Sequence, residues 1–194
     1  MLQVGVIMLV FLILVVLGVF LYFVTIYNGL IRLKNNMDKS WSNIDVLLKQ
    51  RHDEIPKLVA ICEGYMKYEQ ETLKKVIEAR SLFDRARGVA QTAEADQAVT
   101  QALKSLFALA ENYPDLKADN NFLGLQGRVS TLENSIADRR EFFNDSVNLY
   151  NIRIQQIPDI LVAQLFNFES AELWRINPPE REDVKISINP AGGK

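Results

Sequence analysis

The stretch Val4–Ile26, VGVIMLVFLILVVLGVFLYFVTI, decides the fold of this 194-residue chain. Eighteen of its 23 residues are Leu, Ile, Val or Phe, and the first charged side chain of the chain is Arg32. As an α-helix, this stretch rises about 34 Å, enough to cross the hydrocarbon core of a bilayer. The sequence therefore predicts a membrane-spanning helix over residues 1–27. The predicted span includes Val4, Leu12, Gly18 and Ile26.

A cleaved signal peptide is the other structure that begins with an apolar stretch. It would have a basic N-terminal region, a shorter apolar core of about 7–15 residues and a small-residue cleavage site. The residues before the apolar stretch, Met1 to Gln3, carry no base, and no Ala-x-Ala follows it. We therefore expect the helix to remain as an uncleaved anchor in the lipid bilayer.

Basic residues follow the apolar stretch, and none precedes it. Arg32, Lys34 and Lys39 form a juxtamembrane basic group. Because positive charge favours the cytoplasmic side, we expect the N-terminus outside and the C-terminal domain in the cytoplasm, as in a single-pass protein of the cell inner membrane. The unpaired Cys62 also suits a reducing compartment.

The residues that follow, 28–176, carry apolar side chains at helical spacing. One stripe runs from Trp41 to Val76 and a second from Phe122 to Ile157, in steps of mostly three and four. Neither stripe can bury itself alone. We therefore predict an all-α fold, in which the transmembrane helix leads into an elongated antiparallel cytoplasmic helical bundle with long coiled-coil-like helices. The predicted bundle core contains Trp41, Leu58, Ile136, Phe143, Val147 and Tyr150.

Proline and glycine set the expected limits of the first long helix. Pro56 favours either a kink or a break near residues 53–56, since proline is tolerated best in the first turn of a helix. The sequence leaves the kink and the break open. Gly88 is expected to end the segment, as a C-terminal glycine does.

Capping residues set the limits of the later helices. Thr92 is expected to cap a shorter helix of about residues 93–111. Asn120 or Asn121 is expected to cap a helix of some 35 residues, which Pro158 then interrupts. These assignments predict at least three helices beyond the membrane span.

The C-terminal part combines a short helix with a tail rich in proline and glycine. Residues 159–168 are predicted to form an amphipathic helix. The tail, 177–194, contains the alternating stretch Val184–Ile188, which is typical of a strand. Two interpretations of the tail stay open: disorder, and a strand that adds to a neighbouring subunit.

Composition excludes several classes of function. The net charge of −2 argues against a nucleic-acid partner. A single cysteine and a single histidine do not supply the ligands of a multi-thiolate or histidine-rich metal site. We predict no cofactor, metal or catalytic residue: Cys62 fits a small core residue, and His52 fits a surface or cap-neighbour residue.

Charged residues near the two stripes allow two interpretations. One is a solvated helix face. The other is a polar layer between the helices that fixes their register. The residues that would form this layer are Asp45, Arg51, Glu133 and Arg140.

Several short sequence blocks follow one another in a defined order. They are Tyr27-Asn28-Gly29-Leu30, Trp41-Ser42-Asn43-Ile44-Asp45-Val46, Ile55-Pro56-Lys57-Leu58-Val59, Tyr113-Pro114-Asp115-Leu116-Lys117-Ala118, Glu133-Asn134 and Tyr150-Asn151. In these blocks the chain resembles the LemA family over about residues 1–168, with the tail from Asn177 outside the resemblance. The resemblance implies a membrane-anchored helical protein without established enzymatic activity. It also implies similarity to a magnetosome-forming protein and an association with membrane metalloproteases.

Two functional hypotheses follow. In the first, the protein is not an enzyme: its bundle self-assembles into a large homo-oligomer that organises, stabilises or shapes the membrane. In the second, the bundle is an interaction or adaptor module that binds a membrane protease or an envelope-stress partner. A large particle would favour the first hypothesis, and a defined complex with one partner would favour the second.

Overall fold

The computed structural model describes residues 2–175, which form six helices. In chain order these are α1 (Leu2–Tyr65), α2 (Gln70–Arg85), α3 (Gly88–Ala110), α4 (Pro114–Lys117), α5 (Asn120–Gln155) and α6 (Asp159–Leu165). The described part of the chain contains no strand, so the predicted all-α fold is confirmed. The predicted tail at 177–194, with its alternating stretch, lies outside the described residues.

The apolar stretch is the first part of a single helix that continues into the bundle. Helix α1 has 64 residues, which corresponds to a length of about 96 Å. An 18-residue window near its N-terminus has a mean hydropathy of 3.3, and none of it is buried against the rest of the protein. Such a helix is long and apolar enough to cross a membrane, and it points to a membrane protein.

Helix α1 passes through Pro56 without a break. Proline has no N–H to donate to the carbonyl four residues earlier, which belongs to His52. The side chain of Arg80, on α2, donates to that carbonyl instead, at 3.3 Å. Of the two alternatives left open for residues 53–56, a kink or a break, the break is wrong, since α1 continues to Tyr65.

Helices α1 and α5 run antiparallel along the domain. The hydroxyls of Ser40 and Ser146 lie 3.3 Å apart near the end of the domain that adjoins the apolar stretch. At the far end, the Tyr65 hydroxyl donates to the Asp119 carboxylate at 3.0 Å. Helices α2 and α3 pack beside the far half of this pair, where these four helices and the short α4 share a core. The domain is thus a two-helix stalk that widens into a bundle.

Three expected helix limits differ in the structure. Gly88 begins α3, with a positive φ of 75°, and does not end the preceding segment. Thr92 lies inside α3, where its hydroxyl donates to the Gly88 carbonyl at 2.7 Å. The cap of α5 is Asp119, which accepts from the backbone N–H groups of Asn121 and Phe122. Aspartate suits this position better than the expected Asn120 or Asn121, because its charge also favours the N-terminal end of the helix dipole.

Five of the six predicted core residues lie between α1, α5 and the chain from α6 onwards, whereas Leu58 lies in the core that α1 shares with α2, α3 and α5. Trp41 is partly buried, and its ring centroid is 5.5 Å from that of Phe143. The others are buried: Leu58, Ile136, Phe143, Val147 and Tyr150. The basic group of Arg32, Lys34 and Lys39 is exposed just beyond the apolar stretch.

Candidate functional site

A buried charged cluster joins three helices at the middle of the domain. Arg51 of α1 is 1% exposed and Asp96 of α3 is fully buried. Their side chains pair at 2.5 Å between Nη2 and Oδ1. Arg51 also pairs with Glu133 of α5. One guanidinium therefore holds α1, α3 and α5 in a fixed register.

Two further side chains complete this cluster. Arg140 donates to the second oxygen of Asp96 at 3.0 Å. The Thr100 hydroxyl accepts from Arg51 at 3.2 Å and donates to Glu133 at 3.0 Å. Two arginines thus face two carboxylates, and the formal charges of the cluster cancel.

The environment of Asp96 combines opposite influences on its pKa. Burial raises the pKa of the Asp96 carboxyl, and the nearby Glu133 acts in the same direction. The positive charges of Arg51 and Arg140 oppose this shift. Both carboxylate oxygens of Asp96 are occupied by these partners. The cluster therefore serves to hold helices together, and removing one partner would leave a buried charge unpaired.

The predicted polar layer and the observed cluster overlap only in part. The structure brings together Arg51, Glu133 and Arg140. Asp45 lies outside the cluster: it is 38% exposed and pairs with Lys49 one turn along α1. The sequence interpretation missed Asp96, which is the centre of the cluster. The sequence feature that could have revealed Asp96 is its position, as an acidic residue, within the apolar stripe of α3. The buried apolar residues of this stripe include Ala93, Val99, Leu103 and Leu106.

The chain after α6 lies along α5 as an extended segment, residues 168–175, which we call the strap. The Asn151 side chain accepts from the N–H of Ala171 and donates to its carbonyl. Asn144 makes the same pair of bonds with Trp174. Asn144 and Asn151 are seven residues apart on the helix, and their partners Trp174 and Ala171 are three residues apart in the extended strap. Both separations correspond to about 10 Å, so the two asparagines match the spacing of the strap residues that they bind.

The strap ends against the charged cluster. The Trp174 ring lies 5.8 Å from Trp41 and 5.7 Å from the guanidinium carbon of Arg140. The indole is buried, with 4% of the residue exposed. Trp174 therefore covers one side of the cluster and links the strap to α1 and α5.

The other flank of α5 carries no strap and is open. A groove between α1 and α5 is lined by Leu33, Phe142 and Leu149. Phe142 and Leu149 are each 56% exposed and lie two turns apart on one face of α5. Lys39, Arg139 and Asp145 border the groove. We call this surface the outer groove.

His52 and Cys62 occupy separate places in the domain. The His52 ring stacks near Phe83 at 5.5 Å, and its Nε2 lies 3.3 Å from Asp84. It packs against α2, which differs from the surface position expected for it. Cys62 is buried, and burial raises the pKa of its thiol to about 11. Within residues 2–175 no three histidine, cysteine, aspartate or glutamate side chains are grouped so as to hold a metal ion.

Comparison with known protein families identifies the family of this chain. The model of the LemA family matches residues 40–188. The chain belongs to the LemA family. This match includes the cluster and the α5 side of the outer groove. It also reaches beyond Asn177, so the expectation that the tail lies outside the family resemblance is wrong.

Individual relatives agree with this assignment. The chain is 29% identical over 178 residues to Protein LemA of Metamycoplasma hominis, which covers 88% of this chain and 79% of that protein. It is 31% identical over 84 residues to Magnetosome protein MamQ 2 of Paramagnetospirillum magneticum, which covers 43% of this chain and 31% of that protein. It is 24% identical over 179 residues to Magnetosome protein MamQ of Magnetospirillum gryphiswaldense, which covers 78% of this chain and 65% of that protein. The chain thus spans less than two thirds of the magnetosome proteins. With the apolar helix, these similarities point to a membrane-associated helical protein.

Proposed function

We propose that this protein is a non-catalytic, membrane-anchored building block that self-assembles into a large homo-oligomer and so organises or shapes the membrane. The observation that carries the proposal is the continuity of α1, Leu2–Tyr65, which forms both the apolar segment and one side of the domain. A contact between two domains would therefore act directly on the spacing and tilt of their membrane segments.

Stiffness is what lets a domain contact act on the bilayer. A lone helix of this length would bend easily, but α1 is paired with α5 along the domain and is fixed to α3 by the Arg51 cluster. The strap adds a further connection near residues 144–151 of α5. These contacts support a domain that moves as one body with its membrane helix.

The outer groove is our proposed contact surface between copies. Phe142 and Leu149 present two large apolar side chains on one helix face, and Leu33 lies beside them. Exposed apolar residues scattered singly are ordinary, whereas aligned ones rimmed by polar residues are typical of protein contacts. Lys39, Arg139 and Asp145 provide charges of both signs at the rim, as a self-complementary surface requires.

Orientation and location form part of the same proposal. The exposed bases Arg32, Lys34 and Lys39 at the end of the apolar segment support a cytoplasmic domain and an external N-terminus. In a bacterial cell this corresponds to the inner membrane. The proposed partners are then the lipid bilayer and other copies of the chain.

A mass measurement on paired variants tests the proposal. The full-length protein is extracted in mild detergent, its mass is measured by light scattering, and particles are imaged by electron microscopy. The wild type is expected to form a discrete large particle. The double variant Phe142→Asp/Leu149→Asp is expected to be a monomer or dimer, because burying aspartates in the contact is costly.

The matched control places the same charges elsewhere. Ile77 and Leu82 of α2 are 48% and 49% exposed. The variant Ile77→Asp/Leu82→Asp should retain the large particle. Loss of the particle in both variants, with intact helical circular dichroism, would contradict the outer groove as the contact. A monomeric or dimeric wild type would overturn self-assembly and favour an adaptor that binds a membrane protease or another membrane protein.

A further inference from the structure

Helix α6 folds back onto α1 at the point where the apolar stretch ends. Val162 and Ala163 of α6 are buried in a cluster with Ile26 and Leu30 of α1. Just after α6, the Phe166 ring lies 4.7 Å from the ring of Tyr27. The helix is therefore held within two turns of the end of the apolar stretch.

The opposite face of α6 is apolar and exposed. Leu161 and Leu165 lie one turn apart and are 55% and 69% exposed. Phe166 is 53% exposed, and Ile157, at the junction between α5 and α6, is 87% exposed. Four large apolar side chains at one end of the domain are costly to leave in water, because the transfer of apolar surface out of water is favourable.

Charge is almost absent from this segment. From Gln156 to Phe168 the only charged residue is Asp159. Its carboxylate is buried and pairs with Arg153 at 2.9 Å. The exposed face of α6 therefore carries no charge that would oppose its entry into an apolar medium.

The height of α6 relative to the bilayer follows from the length of the span. A hydrocarbon core of about 30 Å takes up about 20 helical residues. If the apolar stretch Val4–Ile26 lies in the hydrocarbon core, the boundary of the core lies near Ile26. The headgroup layer, which is about 6 Å thick, then extends about four helical residues further, to Leu30. These are the residues on which α6 packs.

We propose that α6 and its junction with α5 form a second membrane contact, in which Ile157, Leu161, Leu165 and Phe166 insert into the boundary between lipid headgroups and acyl chains. The occupant of this apolar face is the lipid surface, because the face is continuous with the membrane segment of α1. Helices with one apolar face lie at the membrane interface in this manner, with that face about 5–10 Å deep. The inference rests on the proposed anchoring by residues 4–26 and adds a second point of attachment, which would restrain tilting of the domain.

Fluorescence quenching in vesicles tests this contact. Leu165→Cys in the full-length protein is labelled with bimane and reconstituted into vesicles of phosphatidylcholine and phosphatidylglycerol that contain nitroxide-labelled lipid. Cys62 stays unlabelled because it is buried and its pKa is raised to about 11. The Leu165 label is expected to lose most of its fluorescence to the nitroxide lipid and to be shielded from aqueous iodide. Leu161→Cys repeats the test if the first variant does not retain its helical circular dichroism.

Two control positions separate the possible failures. Leu82 is exposed on α2, far from the membrane segment, and its label should respond to iodide and not to nitroxide lipid. Leu12 lies within the apolar stretch, and its label should be strongly quenched by the lipid. An unquenched Leu12 label would overturn the anchoring itself. If the Leu12 label is quenched by lipid but the Leu165 label behaves like the one at Leu82, only the α6 contact is overturned. The same holds if neither iodide nor nitroxide lipid quenches the Leu165 label, and that result would indicate that a protein partner covers α6.

Discussion

The side chain of Arg80 donates to the backbone carbonyl of His52 at 3.3 Å. This carbonyl is the one that Pro56, four residues later in α1, leaves without its helical donor. A residue of α2 therefore compensates for the proline inside α1. The relationship explains how a helix of 64 residues can include Pro56 and still continue from the apolar segment to Tyr65.

A double-mutant cycle tests this compensation. Arg80→Met removes the donor and keeps an apolar stem, and we expect it to lower the free energy of unfolding by about 1–2 kcal/mol. In a Pro56→Ala background the cost should be much smaller, because an alanine at this position supplies the missing backbone N–H. Chemical denaturation in detergent measures both values. An equal cost of Arg80→Met in the two backgrounds would show that the two residues are not coupled.

The charged cluster predicts a large effect for a single carboxylate. Asp96→Ala leaves the buried guanidinium of Arg51 without its 2.5 Å partner, and we expect a loss of about 3–5 kcal/mol in unfolding free energy. The control is Asp45→Ala, which removes an exposed pair within one helix and should cost less than about 0.5 kcal/mol. Similar losses for the two variants would contradict the structural role of the cluster.

The cluster also shows what the sequence could and could not reveal. The stripes of α1 and α5 predicted their antiparallel pairing, and hence placed Arg51, Glu133 and Arg140 near the interface. The position of α3 depends on packing between residues far apart in the chain, which periodicity does not encode. Asp96 was therefore missed, and Asp45 was wrongly assigned to the layer although its partner Lys49 lies on its own helix.

Helix ends were harder to predict than helix existence. A kink or a break was expected at residues 53–56, and Gly88 was expected to end the first long segment. The structure instead ends α1 at Tyr65 and begins α2 at Gln70. The reason is tertiary: Arg80 stabilises the helix at Pro56, and Tyr113 donates to Glu69 at 3.1 Å in the link between α1 and α2. No local sequence signal reports either contact.

The strap predicts a measurable release of the C-terminal segment. Asn144→Ala removes both hydrogen bonds to Trp174, and we expect a loss of about 1–3 kcal/mol in stability. Limited proteolysis should then cleave within residues 168–175, and the fluorescence of Trp174 should shift towards that of exposed tryptophan. Asn148→Ala, at an exposed position on the same helix, is the control. Equal protease resistance of the two variants would argue against the strap contact.

The cap of α5 predicts a dependence of stability on pH. Backbone hydrogen bonds from Phe122 and Asn121, together with the Tyr65 hydroxyl, lower the pKa of the Asp119 carboxyl. Because this pKa is lowered in the folded state, the ionised carboxylate stabilises the fold at pH values above the ordinary pKa of aspartate. This stabilisation is lost as the pH falls through the lowered pKa of the folded state. Asp119→Ala should therefore be less stable than the wild type at neutral pH, and the difference should shrink in acid.

A neutral cap provides the comparison for this prediction. Asp119→Asn keeps a side-chain acceptor for the end of α5 but does not titrate. The stability difference between Asp119→Asn and Asp119→Ala should therefore be the same at neutral and acidic pH. Thermal unfolding followed by circular dichroism measures all three proteins. A wild type whose advantage over Asp119→Ala grows in acid would contradict the assigned role.

Electron cryomicroscopy of the full-length protein in vesicles tests the central claim most directly. Residues 28–65 of α1 correspond to about 57 Å of continuous helix. We predict domains that project about this far from the bilayer and stand side by side at a constant spacing in extended assemblies. Isolated domains without a constant spacing, or a layer much thinner than this length, would contradict a rigid, self-assembling domain that is coupled to its membrane helix.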